Sequence, residues 1–389
     1  MRKIPYGRQS ITEDDINAVI EVLKSDYLTQ GPRIGELEAA IADYHGARHA
    51  VAFSNGTAAL FAAYESIGIC EGDEIVSSPI TFVATTNGAV YCGGTPVFAD
   101  LDPETNCIDI GQIESRITNN TKAIVPIAYA GYPVDLKRIR SIADQNNCSV
   151  IYDAAHAIGS LRNGSFGMEY VDAAILSFHP VKHIAAGEGG MVLTNRDDIY
   201  ERLLLFRSHG ITKDPALLHK HDGAWYYEMQ SLGYNFRITD MQCALAASQF
   251  RRIRENLKRR NEIASVYESE LEGVDFIHTP PSVGYGILDE DDSGAADTIH
   301  AYHLYTITVK DAADRKPLYE HLHSNGVLAQ IHYVPVHLHP YYRERFGFAE
   351  GDCPCAEDFY QREISIPMFH SLSELDQEYV IDTIKAFRK

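Results

Sequence analysis

Apolar positions along the chain follow two periods. Short runs at 49–53, 74–77, 96–99, 123–129, 149–152, 173–178 and 191–193 are bounded by polar or Gly-rich residues, which is the pattern of buried strands. Between them, 82–91, a stretch near 108–116, 136–145 and 196–206 carry helical spacing, and Leu60, Ala63 and Tyr64 mark the core face of another helix. Strands and helices alternating through loops of a few residues predict an α/β chain with a large, mostly parallel sheet wrapped by helices.

The flanks read differently. Thr12 followed by Glu13, Asp14 and Asp15 starts a capped helix over 11–25, with Ile16, Val19, Ile20 and Leu23 on one face. A second helix, 34–44, buries Leu37 and Ile41 and stops at Gly46. Later, YNFRITDMQCALAASQF launches one helix that runs towards Ala264 and Leu271, long enough to link two domains. Residues 279–296 are rich in Pro, Gly and Asp and read as a surface loop marking a boundary. Beyond them, strands at 303–309, 327–334 and 364–367 and helices at 316–324, 356–361 and 374–387 predict a smaller α+β unit. The expected division is a large domain, 1–250, and a small C-terminal one, 251–389.

Composition narrows the function. The chain has 389 residues, 45% of them hydrophobic, as suits a compact enzyme. Its net charge of −20, from 54 acidic and 34 basic residues, argues against nucleic acid as a partner. The basic run RRIRENLKRR is interleaved with Ile253 and Leu257 and reads as the solvated face of a helix. Neither an N-terminal apolar segment nor a run of 18 apolar residues occurs, so no membrane span and a cytoplasmic location are expected. Seven scattered cysteines fit a reducing compartment. Cys353-Pro354-Cys355 is one residue short of a CxxC pair, so no metal is expected; His337 and His339 could join such a site, but a surface loop explains them as well.

Chemistry concentrates in IYDAAHAIGS LRNGSFGMEY VDAAILSFHP VKHIAAGEGG. One strand ends on Asp153 and His156, the next on Ser177, His179 and Lys182. The carboxyl ends of neighbouring strands meet at a crevice, so these groups can converge. An acid, a hydroxyl and a lysine together suit a cofactor with a basic ring nitrogen, a phosphate and an aldehyde. SNGT, between a strand and a helix, offers Gly56 and Thr57 either to a phosphate or to an ordinary helix cap. Phe82 follows Pro79 near the same edge, to stack on a planar ring or to fill core. Asn235 and Arg237 precede a helix where they could meet an anion.

In this order and spacing, LTQGP, SNGTAAL, ITFVATTN, YDAAHAIG, SFHPVKHIAAGEGG, FRSHG, YNFRITDMQCALA and IHYVPVH make nearly the whole chain resemble the DegT/DnrJ/EryC1/StrS aminotransferases. Within that group LTQG, LAQIHYVP and AEDFYQREISIP look most like the transaminases of pseudaminic acid biosynthesis. The resemblance implies the fold type I architecture of transferases dependent on pyridoxal 5′-phosphate (PLP). It makes Lys182 the Schiff-base lysine, Asp153 the partner of the pyridinium nitrogen, His156 a neighbour of the ring hydroxyl and Phe82 the stacking aromatic. Gly56, Thr57 and Ser177 would hold the phosphate. Asn235 would reach the neighbouring subunit, implying a homodimer with shared active sites. Tyr6, Asp26, Tyr27, Leu28, Thr29, Arg237, Gln330, Ile331, His332 and Tyr333 would bind the sugar nucleotide. Relatives often carry Gln in place of His156.

What the resemblance implies chemically is ping-pong transamination. L-Glutamate leaves as 2-oxoglutarate with its nitrogen kept as pyridoxamine phosphate, which then aminates C4 of a UDP-4-keto-6-deoxy-N-acetylhexosamine. Three rivals stand beside it. Sugar 3-dehydratases of this fold carry histidine in place of the lysine, whereas Lys182 is present here. A non-catalytic regulatory protein would not need Lys182, Asp153 and Ser177 together. The third is an aminotransferase for another UDP- or dTDP-4-keto sugar, for example the D-xylo isomer.

Overall fold

The computed structural model describes residues 2–283 and 297–388; the acidic stretch at 289–296 lies outside the described residues. The chain begins with β1 (Ile4–Pro5), α1 (Glu13–Leu23) and α2 (Pro32–His45). It continues through β2 (His49–Phe53), α3 (Gly56–Ser66), β3 (Glu74–Ser77), α4 (Ala84–Tyr91) and β4 (Thr95–Phe98). A small hairpin, β5 (Leu101–Asp102) and β6 (Cys107–Ile108), precedes α5 (Ile110–Arg116), β7 (Thr121–Val125), α6 (Leu136–Gln145), β8 (Ser149–Asp153), β9 (Ala173–Ser177), β10 (Gly190–Thr194) and α7 (Asp197–Arg207). A second hairpin, β11 (Ile211–Thr212) and β12 (Glu228–Met229), leads into α8 (Asp240–Phe250) and α9 (Ile253–Leu271). The remainder is β13 (Ile277–His278), β14 (Tyr305–Val309), α10 (Arg315–Ser324), β15 (Val327–Leu328), α11 (Pro340–Phe346), α12 (Pro354–Arg362), β16 (Glu363–Ile366) and α13 (Glu374–Lys385).

The central sheet has seven strands in the order β2-β10-β9-β8-β7-β3-β4. All neighbours are parallel except at β10, which is antiparallel to both β2 and β9. Both faces are covered, so strand residues alternate between two cores. Ala50 and Ala52 face α2 residues Ile34, Leu37 and Ile41, while Val51 and Phe53 face α3 residues Ala59 and Ala63. A further core gathers Ile263 and Tyr267 of α9, Ile307, Ile364 and Val380, together with Ile4. That last contact exists because β1 pairs in parallel with β15, which carries the start of the chain over to the later elements.

The expected architecture is present, with local differences that have physical reasons. The single long helix is two, α8 and α9: the backbone leaves helical geometry at Arg252 (φ −102°, ψ 13°), whose guanidinium binds the fully buried Asp15 carboxylate at 2.9 Å. In α1 it is Asp15 and Val22 that turn inward, and Ile16, Ile20 and Leu23 stay exposed. Within RRIRENLKRR, Arg260 is not solvated. It is buried and donates to the carbonyls of Tyr302 and Met368 at 2.8 and 3.1 Å. The strand expected at 327–334 pairs only over Val327–Leu328, because Gln330 turns to bond Ser365 of β16 in both directions. His337 is buried against Glu357 at 2.9 Å rather than lying on a surface loop, and α11 follows it.

Candidate active site

Residues from the carboxyl edge of the central sheet line a cavity of about 740 Å³. Its floor begins where β2 gives way to α3. Asn55 caps the helix, its side chain accepting from the amide of Ala58 at 2.8 Å and its carbonyl accepting from Ala59. The first-turn amides of Gly56 and Thr57 are thereby left for a ligand, at the positive end of the helix. Ser177, closing β9, faces this turn: a Cβ on Gly56 would stand 3.4 Å from its Oγ. Gly190 is required from behind, since a Cβ there would meet the carbonyl of Asn55 and the amide of Gly56 at 2.7 Å. Thr57 and Ser177 both line the cavity, so two hydroxyls and two amides surround one small volume.

Asp153 closes β8 and is buried. Thr85 Oγ1 donates to its Oδ2 at 2.6 Å, and the amide of Ala155 donates to its Oδ1 at 3.1 Å. Burial raises the carboxyl's pKa, while the two hydrogen bonds and the nearby Lys182 charge oppose the rise. The Asp153 side chain forms no ion pair among the described residues, an arrangement that suits a cationic ring nitrogen supplied by a ligand.

Lys182 sits on the loop joining β9 to its antiparallel neighbour β10, which returns the chain to the same sheet edge. It keeps partial access to the cavity, yet the surrounding walls withdraw enough water to bring its pKa down to about 7, with Asp153 opposing. Its Nζ lies 3.5 Å from His303 Nε2. The His303 ring in turn stands 4.2 Å from that of His156, which is 3.2 Å from the Tyr333 hydroxyl through Nε2. Burial, and next the Lys182 charge, hold both His156 and His303 well below the usual histidine range, so both are neutral. The Nδ1 atoms of His156 and His303 are buried without a partner among the described residues.

Tyr6, His332 and Tyr333 form another wall, with the Tyr6 and His332 rings 5.1 Å apart. Phe82 lies 6.1 Å from Tyr333, is more than half exposed and lines the cavity. The structure thus brings Gly56, Thr57, Phe82, Asp153, His156, Ser177, Lys182, Tyr6, His332 and Tyr333 together. It does not bring Asp26, Tyr27, Leu28, Thr29, Arg237, Asn235, Gln330 or Ile331 to the walls of this cavity within one chain. The segment from Asp26 to Thr29 is held against α8 instead, where the amide of Asp240 donates to Leu28 and Thr29 bridges Thr239. Asn235 is exposed. Thr85 and His303 also belong to the site, though no motif marks either of them. Thr85 stands one helical turn after Phe82 in ITFVATTN, and His303 stands three residues after His300 and two before β14.

The donor set fits PLP. Amides and hydroxyls stand ready for a phosphate, a buried carboxylate for the ring nitrogen, an amine of lowered pKa for the aldehyde, and unpartnered histidine nitrogens border the same space.

Known proteins agree. The model of the DegT/DnrJ/EryC1/StrS aminotransferase family matches residues 9–385. The chain belongs to this family. It is 36% identical to the spore coat polysaccharide biosynthesis protein SpsC of Bacillus subtilis, over 98% of this chain and 96% of that one. A UDP-4-amino-4,6-dideoxy-N-acetyl-β-L-altrosamine transaminase of Campylobacter jejuni is 34% identical, over 98% of this chain and 96% of that protein. Among solved structures, Helicobacter pylori PseC, an aminotransferase of pseudaminic acid biosynthesis, superposes with a TM-score of 0.89 at 31% identity, covering 99% of each chain. No helix of the described residues is long and apolar enough to cross a membrane, and no cluster of metal-binding side chains occurs among them.

Proposed function

We propose that this aminotransferase moves the amino group of L-glutamate to C4 of UDP-2-acetamido-2,6-dideoxy-β-L-arabino-hex-4-ulose, giving UDP-4-amino-4,6-dideoxy-N-acetyl-β-L-altrosamine for pseudaminic acid biosynthesis. The enzyme depends on PLP. Bound in the cavity, PLP supplies the electron sink for the carbanion left when a Cα proton departs. One observation carries the reading: Lys182, the Thr85-bonded Asp153 and the α3 N-terminus with Ser177 surround a single cavity.

Each residue then has a task. Gly56, Thr57 and Ser177 hold the phosphate, Asp153 keeps the ring nitrogen protonated, and Phe82 and His156 border the ring. Lys182, whose pKa burial brings down to about 7, takes a proton from the donor's Cα and returns it to the carbon on the far side of the nitrogen being transferred. His303 sits where it can hold the lysine's hydrogen-bonding group between these transfers. Tyr6, His332 and Tyr333 face the sugar, with Asp26 to Thr29, Arg237, Gln330 and Ile331 further along the nucleotide. The similarity to the Campylobacter and Helicobacter proteins favours this substrate.

The assembly in this reading is a homodimer in which Asn235 serves the partner's site. Its support is the exposure of Asn235 together with the exposed Trp225, Tyr227, Met229 and Leu232 just before it. In this reading the chain divides at 250/251, with β1 joining the start of the chain to the smaller unit. Seven free cysteines suit a cytoplasmic location.

The identity of 36% with SpsC favours a second reading, a different UDP- or dTDP-4-keto sugar with unchanged chemistry. Purified holoenzyme with L-glutamate is offered the L-arabino and D-xylo UDP-4-keto-6-deoxy-N-acetylhexosamines, and products are identified by mass spectrometry and NMR. Amination of the L-arabino ketone alone is expected. Preference for the D-xylo isomer would transfer the enzyme to the second reading.

A further inference from the structure

β16 opens on a carboxylate where its other residues are apolar or small. Glu363 is fully buried and pairs with no cation within hydrogen-bonding distance among the described residues. Its Oε2 accepts from the amide of His332 at 2.8 Å, and its Oε1 lies 2.5 Å from Ser365 Oγ. Ser365, also fully buried, places the same Oγ 2.8 Å from His332 Nδ1. The two segments are tied by paired backbone bonds between Gln330 and Ser365, and Tyr129 donates its hydroxyl to the carbonyl of His332 at 2.5 Å. His332 has its Nδ1 turned to Ser365, which leaves Nε2 as the ring's polar atom for the cavity it lines.

A serine hydroxyl has one proton to give. If Glu363 is ionised, Ser365 must donate to it and accept from His332 Nδ1, so that Nε2 is an acceptor. If Glu363 is protonated, its O–H donates to Ser365, Ser365 donates to Nδ1, and the imidazole proton sits on Nε2. We infer that Glu363 and Ser365 are positioning residues that lock His332 in the Nε2-protonated tautomer, so that it donates to an acceptor oxygen of the sugar substrate. Charged and titratable neighbours do not reverse this. Arg315, a cation whose charge favours the ionised form, has its guanidinium bonded to the carbonyl of Tyr360 at 2.8 Å, and Tyr129, Tyr333 and His332 around the site are neutral. Burial pushes the Glu363 carboxyl up to about 8. The substrate half of this inference rests on the wall of Tyr6, His332 and Tyr333 facing the sugar.

Two measurements test it. Neutron diffraction from crystals of the holoenzyme is expected to find deuterium on Glu363 Oε1 and His332 Nε2; deuterium on His332 Nδ1 with a bare carboxylate overturns the relay. Kinetics are taken for the glutamate and sugar half-reactions separately. Glu363→Gln can accept from His332 and donate to Ser365, so it is expected to match wild type. Ser365→Ala and Glu363→Ala are expected to raise KM for the sugar roughly tenfold, the worth of one ordinary hydrogen bond, with the glutamate half-reaction unchanged. A Glu363→Gln enzyme as impaired as Glu363→Ala, or a Ser365→Ala enzyme with wild-type KM, overturns the inference. Should Glu363→Ala fail to fold, Ser365→Ala and Glu363→Gln still decide. Wild-type enzyme that aminates none of the UDP-ketones tests the substrate reading instead, and the deuterium positions judge the relay without it.

Discussion

Thr85 Oγ1 donates to Asp153 Oδ2 across 2.6 Å, and it does so from the helix whose approach also delivers Phe82 to the cavity. Asp153 has one other donor, the amide of Ala155. Losing a hydrogen bond to an ionised carboxylate costs about 1.5–3 kcal/mol. Thr85→Val keeps the shape and removes the bond, and Asp153 then holds its charge less well. We predict a fall in kcat of roughly ten- to a hundredfold in the glutamate half-reaction, with cofactor still bound. Single-turnover absorbance on the purified variant checks this, and a wild-type rate would remove Thr85 from the site's machinery.

The pKa of Lys182, about 7, fixes a pH dependence. Attack on the cofactor aldehyde requires the neutral amine. The rate of cofactor loading onto stripped enzyme should therefore climb as pH rises through 7 and level off above about 8. An ordinary lysine would keep climbing to about 10.4. Stopped-flow absorbance across pH 6 to 10 distinguishes the two curves. Lys182→Ala, the control, should lose the loading signal and roughly a thousandfold or more of turnover.

How much of this was legible beforehand follows from the reach of each interaction. Strand period and motif spacing are local, so the sheet, Asp153, Ser177, Lys182 and the α3 turn were readable from the letters. Thr85, His303 and Glu363 matter through partners far along the chain: 68 residues separate Thr85 from Asp153, 121 separate Lys182 from His303, and 31 separate His332 from Glu363. No local pattern encodes such distances. The α1 stripe misled for a related reason: helical spacing shows that Ile16 and Ile20 share a face, but not what covers it. Arg260 looked like one more charge in a basic run because its carbonyl partners come from Tyr302 and Met368.

Arg260 makes a stability prediction. Its guanidinium, 1% exposed, answers the carbonyls of Tyr302 and Met368, and Tyr302 has a left-handed φ of 42°. Such a backbone is held only by its surroundings. Arg260→Met leaves those carbonyls unpaired and should cost about 3 kcal/mol or more. It should also lower kcat, because His303 follows Tyr302 directly and meets Lys182. Urea unfolding of variant and wild type measures the first effect. Equal midpoints would show that the carbonyls find other donors.

The last prediction concerns assembly. Trp225, Met229 and Leu232 are 74%, 64% and 75% exposed, a density of bare apolar surface that a lone subunit seldom carries. They lie immediately before Asn235, the residue proposed to serve the neighbouring site. If the partner covers them, each large side chain contributes about 1.5–3 kcal/mol, and a two-fold interface counts each one twice. Met229→Asp with Leu232→Asp should then weaken dimerisation by at least roughly a hundredfold. Sedimentation velocity over a dilution series measures it. Turnover should fall with the dimer fraction, since each cavity would lose its partner's Asn235. A double variant that stays dimeric places the interface elsewhere, and a fully active monomer ends the shared-site reading.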